Sequence, residues 1–268
     1  METSATKRPP AVAGQFYPDD PNELRAEVAR FIGDAAAARR RIGVVAPHAG
    51  YVYSGATAGK VYAATEVPER VVVLAPNHTG RGGERAAWAR GVLGLPGGGV
   101  PVDEELCERL IRQGVVEDDR EAHRREHALE VQLPFLQARN PSVKVTPVVL
   151  GGLRLEECEA LGRALAEAAP ADALVVASSD MNHYLDDATT RVRDRMALDP
   201  LLALDERRLY MTVVREDISM CGFIPATVML AFARARGAKH AELVGYATSG
   251  DAFGDRKRVV GYAGVVVD

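Results

Sequence analysis

Four short apolar runs constrain this chain most: 42-IGVVA-46, 70-RVVVLA-75, 145-VTPVVL-150 and 173-ALVVAS-178. Each is rich in β-branched residues and too short for a helix, so each reads as a strand buried on both faces. Helix-like segments over residues 54–65, 103–113 and 155–168 lie between them. Such alternation implies an α/β fold with a largely parallel central sheet covered on both sides, a three-layer α/β/α arrangement. Residues 225–236 open with a proline in the first turn and stop before Gly237, which predicts a further helix. The runs 241–247 and 258–267 predict a closing hairpin, and the Gly/Pro-rich stretch 91–101 reads as a loop or tight turn. At 268 residues, 47% of them hydrophobic and without a linker-like stretch, one domain over 1–268 is expected.

Charge narrows the partners. The 33 basic and 37 acidic residues leave a net charge of -4, and neither sign gathers into a block that would attract nucleic acid or a membrane surface. A small-molecule substrate fits better. Residues 1–18 lack the apolar core of a secretory leader, and no run approaches the length of a membrane span, so a cytoplasmic location is expected. Three cysteines, Cys107, Cys158 and Cys221, are odd in number and far apart, which argues against a disulfide framework.

Three of the strands end in the same way. The chain reads 44-VVAPHAGY-51, then 72-VVLAPNHTG-80, then 175-VVASSDMNHY-184, so each apolar run breaks into turn-forming residues and delivers a histidine. Ligands of open parallel sheets bind outside the carboxyl ends of the strands. If these three strands are neighbours, His48, His78 and the Asp180/His183 pair converge on one pocket. Imidazole suits zinc, copper and iron, and a nearby carboxylate either joins the metal or orients a histidine. The spacing itself names no metal.

Two further residues bear on that pocket. His127 stands at the start of 126-EHALEVQLPFLQ-137, where the leucine spacing suggests the entry of a short amphipathic helix. The overlapping 123-HRREH-127 matches a zinc-peptidase pattern, but that pattern requires a helix, and His123 is expected in an exposed, charged segment. Cys221 lies just ahead of the helix expected from residue 225. There the helix dipole favours a thiolate, fit for metal binding or nucleophilic attack, and the other reading is a buried apolar cysteine. Cys107 and Cys158, inside expected helices, are read as buried and apolar.

The segments 8-RPPAVAGQFYP-18, 46-APHAGYVYSG-55, 75-APNHTG-80, 126-EHALEVQLPFL-136, 178-SSDMNHY-184, 220-MCGFIPA-226 and 246-YATSGDAFGD-255 resemble those of the Memo family in order and spacing, over essentially the whole chain. The resemblance implies a fold similar to the LigB-like catalytic subunit of class III extradiol dioxygenases, non-haem iron enzymes that open catechol rings. It implies a metal pocket formed by His48, His78 and Cys221, holding iron or copper, with zinc as a further option. Asp180, His183 and His127 would line the pocket and supply acid–base chemistry.

A thiolate in place of the usual carboxylate shifts preference toward Cu(I), zinc or an iron of altered redox behaviour, and argues against catechol cleavage. The function implied is a metal-dependent redox enzyme for an unidentified small molecule. The alternative is a non-catalytic metal-handling or interaction protein, and a third reading is a zinc hydrolase. Relatives occurring with an AMMECR1-like protein and a radical-SAM enzyme imply a shared pathway.

Overall fold

The computed structural model describes residues 7–35 and 37–268. The leaderless start expected from residues 1–18 falls, over residues 1–6, outside the described residues, as does Ala36.

The four expected strands form: Gly43–Ala46 (β1), Arg70–Pro76 (β2), Lys144–Leu150 (β3) and Leu174–Ser178 (β4). They lie side by side in the order β1-β4-β2-β3, all parallel, with Ala177 of β4 opposite both Val45 and Leu74. The closing hairpin also forms, from Ala241–Thr248 (β5) and Val259–Val267 (β6). β6 adds antiparallel to β1, and Arg85–Ala87 adds antiparallel to β3 on the far side, so the sheet is mixed around a parallel centre.

Alternation along these strands builds two cores. Val45, Val72, Leu74, Val148, Val175 and Ala177 face one cluster, while Val44, Val71, Val73, Val145, Leu174 and Val176 face the other. Helices Leu155–Ala168 and Phe223–Ala235 cover the first face through Cys158, Leu161, Val228 and Phe232. Tyr51–Ala63 and Leu133–Arg139 cover the second through Val61, Tyr62, Phe135 and Leu136. We label Tyr51–Ala63, Leu155–Ala168 and Phe223–Ala235 as α1, α2 and α3. The result is the three-layer α/β/α arrangement. Cys107 and Cys158 are buried, as expected. No helix among the described residues is long and apolar enough to cross a membrane.

Several expectations need correction. Residues 91–101 are not a loop: Val92–Leu95 and Gly98–Pro101 pair as a hairpin, turning at Gly97 with φ 76°, and Lys7–Arg8 runs parallel beside them. α1 begins at Tyr51 rather than residue 54, and α3 at Phe223, with Pro225 still in its first turn. The helices Pro21–Ile32, Asp187–Leu202 and Glu206–Arg215 were not anticipated. Ser249 and Asp251 sit in a short helix, where Asp251 accepts the Thr248 N–H and pairs with Arg191 and Arg256, so they shape the turn between β5 and β6.

His123 is the clearest reversal. It is buried, and its Nε2 donates to the Ala86 carbonyl at 2.9 Å. Arg8, also buried, explains this: its Nε donates to the His123 carbonyl at 2.8 Å, its Nη2 to the Glu126 carbonyl, and its Nη1 meets Glu130 at 2.6 Å. Glu130 in turn accepts the N–H groups of Ala11 and Val12 and the Tyr17 hydroxyl. The N-terminal segment is thereby strapped across residues 123–130.

Burial, helped by the Arg8 charge, holds the His123 imidazole down to about 4 against an ordinary value near 6.5. The unfolded chain therefore binds a proton below about pH 6.5 that the folded chain refuses until about pH 4. Stability from this group is complete above the unfolded value and is lost as pH falls through that window, by up to about 3 kcal/mol. A His123→Gln variant, which keeps a donor for Ala86, should lose less stability than the wild type between pH 7 and 4 in denaturant titrations. Parallel pH profiles would sink this assignment.

Candidate metal centre

Because β1, β4 and β2 are adjacent and parallel, the turns at their carboxyl ends meet. They place His48, His78, Asp180 and His183 around one cavity of about 590 Å³, with His127, Phe16, Tyr184 and Cys221. The convergence expected from the strand endings is what the fold delivers.

Cys221 reaches this edge from the opposite end of the sequence. Gly222 makes that possible: a Cβ there would lie 2.2 Å from the Ser178 carbonyl oxygen, so only glycine lets the chain pass so close to the end of β4. The Gly222 N–H donates to Ser179 Oγ at 3.0 Å. Cys221 Sγ then stands 3.3 Å from His48 Nε2 and accepts the Asp180 N–H at 3.3 Å.

The protons on two of the imidazoles follow from their partners. The Ser178 hydroxyl gives its one hydrogen to the Ala128 carbonyl at 2.6 Å and accepts from Gln132 Nε2 at 2.8 Å. The Gln132 amide is itself oriented, since its Oε1 accepts the Tyr62 hydroxyl while Nε2 faces the Pro47 carbonyl. Ser178 Oγ therefore accepts from His48 Nδ1 at 2.9 Å, which leaves the His48 Nε2 lone pair free toward Cys221. His78 is set similarly: its Nδ1 lies 2.9 Å from Glu126 Oε1, and Glu126 Oε2 accepts the His78 N–H. Burial pushes the Glu126 carboxyl up, but its hydrogen bond with His78 wins and holds it at about 2, so it is ionised and makes Nδ1 the donor. The Nε2 of His78 is left without a role in that pairing and available as a ligand atom. This carboxylate–histidine pairing is the arrangement that aims imidazoles at metals.

The ligand atoms of His48, His78 and Cys221 all lie within 4.8 Å of one another. His78, Glu126 and His127 form a second such group, but the Glu126 oxygens already serve the His78 side chain and the backbone N–H groups of His78 and Ala128.

Charge around the cavity is set by burial. Desolvation, then His78 and His127, hold His48 well below its ordinary range, and desolvation also lowers His127. At His78 desolvation is outweighed by Glu126, and its value rises. Asp180 accepts the His48 N–H at 2.8 Å, yet burial raises its carboxyl. At Cys221 burial, followed by the Asp180 carboxylate, pushes the thiol far up against the helix dipole, so without a cation beside it the sulfur keeps its proton.

His127 and His183 complete the ring of titratable groups. The His127 ring stacks on His78 with centroids 4.7 Å apart and meets the Phe16 ring edge-on. It precedes the short 3-10 turn Glu130–Gln132 rather than opening a helix. His183 Nδ1 donates to the Ser219 carbonyl at 2.7 Å, leaving its Nε2 as a proton acceptor. Tyr184 beside it holds φ 65°, an uncommon conformation for a large side chain and one found at functional sites. Sequence reasoning missed Glu126, Ser178 and Gln132 as orienting groups. The adjacency of Glu126 to His127 was their only local signal.

Fold and site together define an α/β protein with two histidines and one cysteine gathered, as a candidate ligand set, at the carboxyl edge of its sheet. The chain belongs to the Memo family, whose Memo-like protein model matches residues 8–266. It is 41% identical to a MEMO1 family protein of Methanopyrus kandleri, covering 97% of this chain and 98% of the relative. MEMO1 family proteins of Aquifex aeolicus and Archaeoglobus fulgidus are 40% and 41% identical, again over 97% of this chain and 98% of each relative.

Proposed function

We propose that this protein binds a redox-active metal, iron or copper, through His48 Nε2, His78 Nε2 and Cys221 Sγ, and acts on a small molecule. The observation that carries this reading is the tautomer control: independent hydrogen-bond partners take up Nδ1 of both imidazoles and leave Nε2 of each available, in a group whose ligand atoms lie within 4.8 Å of one another. A half-buried thiol held protonated by desolvation is the counterpart, since a cation at this point would displace the proton and neutralise the thiolate. The metal would supply Lewis acidity or electron transfer. Soft sulfur with two imidazoles suits Cu(I), zinc and iron better than magnesium or calcium.

The remaining residues handle protons and shape. His183 Nε2 accepts a proton from a bound molecule, His127 presents a neutral ring beside His78, and Asp180 holds the backbone that carries His48. Phe16 and Tyr184 line the same cavity and give it aromatic walls.

The test is elemental analysis of protein purified without oxygen. The wild type should carry near-stoichiometric iron or copper, and His48→Ala, His78→Ala and Cys221→Ser should each lose it while remaining folded. Zinc in place of iron or copper would favour a hydrolytic role. A wild type that cannot be loaded would leave a non-catalytic interaction protein as the better reading.

A further inference from the structure

Cys221 lines two cavities. Besides the histidine cavity, its residue borders a second one of about 440 Å³, formed by the loops that follow β2 and β3 and by the start of α3. Five glycines line it, Gly80, Gly82, Gly83, Gly151 and Gly152, together with Glu84. Both cavities thus open outside the carboxyl ends of the strands, one beyond β1 and β4, the other beyond β2 and β3, where open sheets bind their ligands.

The two sides of the sulfur differ. On the histidine side Sγ is engaged by His48 Nε2 and the Asp180 N–H, each at 3.3 Å, and a metal held by the three ligands would lie there too. We propose that the second cavity is a separate binding site, through which a small molecule carrying no negative charge approaches Cys221 and whatever ion it holds. Its lining dictates that class. It contains no lysine, arginine, histidine or aromatic ring among the described residues, and its one ionisable side chain other than Cys221, Glu84, repels anions. Asn77 is occupied, its Oδ1 by Thr79 and Gly80 and its Nδ2 by the Arg81 carbonyl.

Gly152 supplies the test. A Cβ built there meets no atom within 4 Å and its φ lies outside the left-handed region, so a larger side chain extends into open space without backbone strain. Methyl methanethiosulfonate, small and uncharged, transfers its methylthio group to a thiolate and releases methanesulfinate. Applied at one fixed pH to metal-free, full-length protein and followed by mass spectrometry at Cys221, its rate in each variant relative to wild type reads access to the sulfur, because the protonation of Cys221 is common to all of them. Cys107 and Cys158, both fully buried, serve as the unreactive background.

Gly152→Leu and Gly152→Phe should slow labelling progressively, to about ten-fold or more, while Gly152→Ala stays within about two-fold of wild type. The anionic sulfonatoethyl analogue should react more slowly than the neutral reagent with wild type. Unchanged labelling in a Leu or Phe variant that retains the wild-type unfolding transition would overturn the proposal, because the sulfur would then be reached from the histidine cavity. The inference relies on the metal reading only for what the molecule meets at Cys221. Metal content measured separately in the same variants keeps the two failures distinguishable.

Discussion

Replacing Glu130 with glutamine should destabilise the protein by about 3–5 kcal/mol, a large share of the roughly 5–15 kcal/mol typical of a folded domain. The guanidinium of Arg8 and the carboxylate of Glu130 are both buried, 2.6 Å apart, so removing the negative charge strands a positive one in the interior. Glutamine also turns an amide donor toward an array of donors, because Glu130 accepts from Ala11, Val12, Tyr17 and Arg8 together. Denaturant titration should record the loss as a lower midpoint with little change in slope. An Arg8→Met/Glu130→Leu double variant should recover part of it, since neither charge is then left unpaired. A single variant within about 1 kcal/mol of wild type would show that the strap contributes little.

Glu126→Gln should weaken metal affinity by about 10–100-fold while leaving the three ligands in place. Glu126 accepts from His78 twice, through the ring Nδ1 at 2.9 Å and the backbone N–H at 2.7 Å, and its Oε1 also takes the Ala128 N–H. A neutral amide offers only one acceptor oxygen, so one of these donors faces an NH2 group and the ring loses its orientation. Competition with a chromophoric chelator reads the affinity directly. Equal affinities for wild type and a folded variant would mean that Glu126 serves the loop and not the metal.

What could be read from the sequence, and what could not, divides along physical lines. β1 to β4 were legible because a strand buried on both faces needs an unbroken apolar run, and the three histidine-bearing turns follow such runs directly. Their neighbourhood was conditional until the order β1-β4-β2-β3 made it real. The burial of His123 was illegible because it depends on Arg8, 115 positions away, accepting a place in the interior. The protonation of Cys221 stayed open in the sequence because a helix dipole is a local quantity, whereas desolvation is set by the whole fold. The helix Asp187–Leu202 escaped notice behind Pro200, which lies inside it, and an arginine- and aspartate-rich composition.

The closure of Cys221 onto His48 joins residues 173 positions apart, across a gap that only Gly222 allows. Long-range contacts of this kind demand that most of the chain be in place first, so the ligand triad comes together late in folding. An ion held there would grip the finished molecule and not its precursors. It would act as a latch on unfolding, lengthening the lifetime of the native state without hastening its arrival.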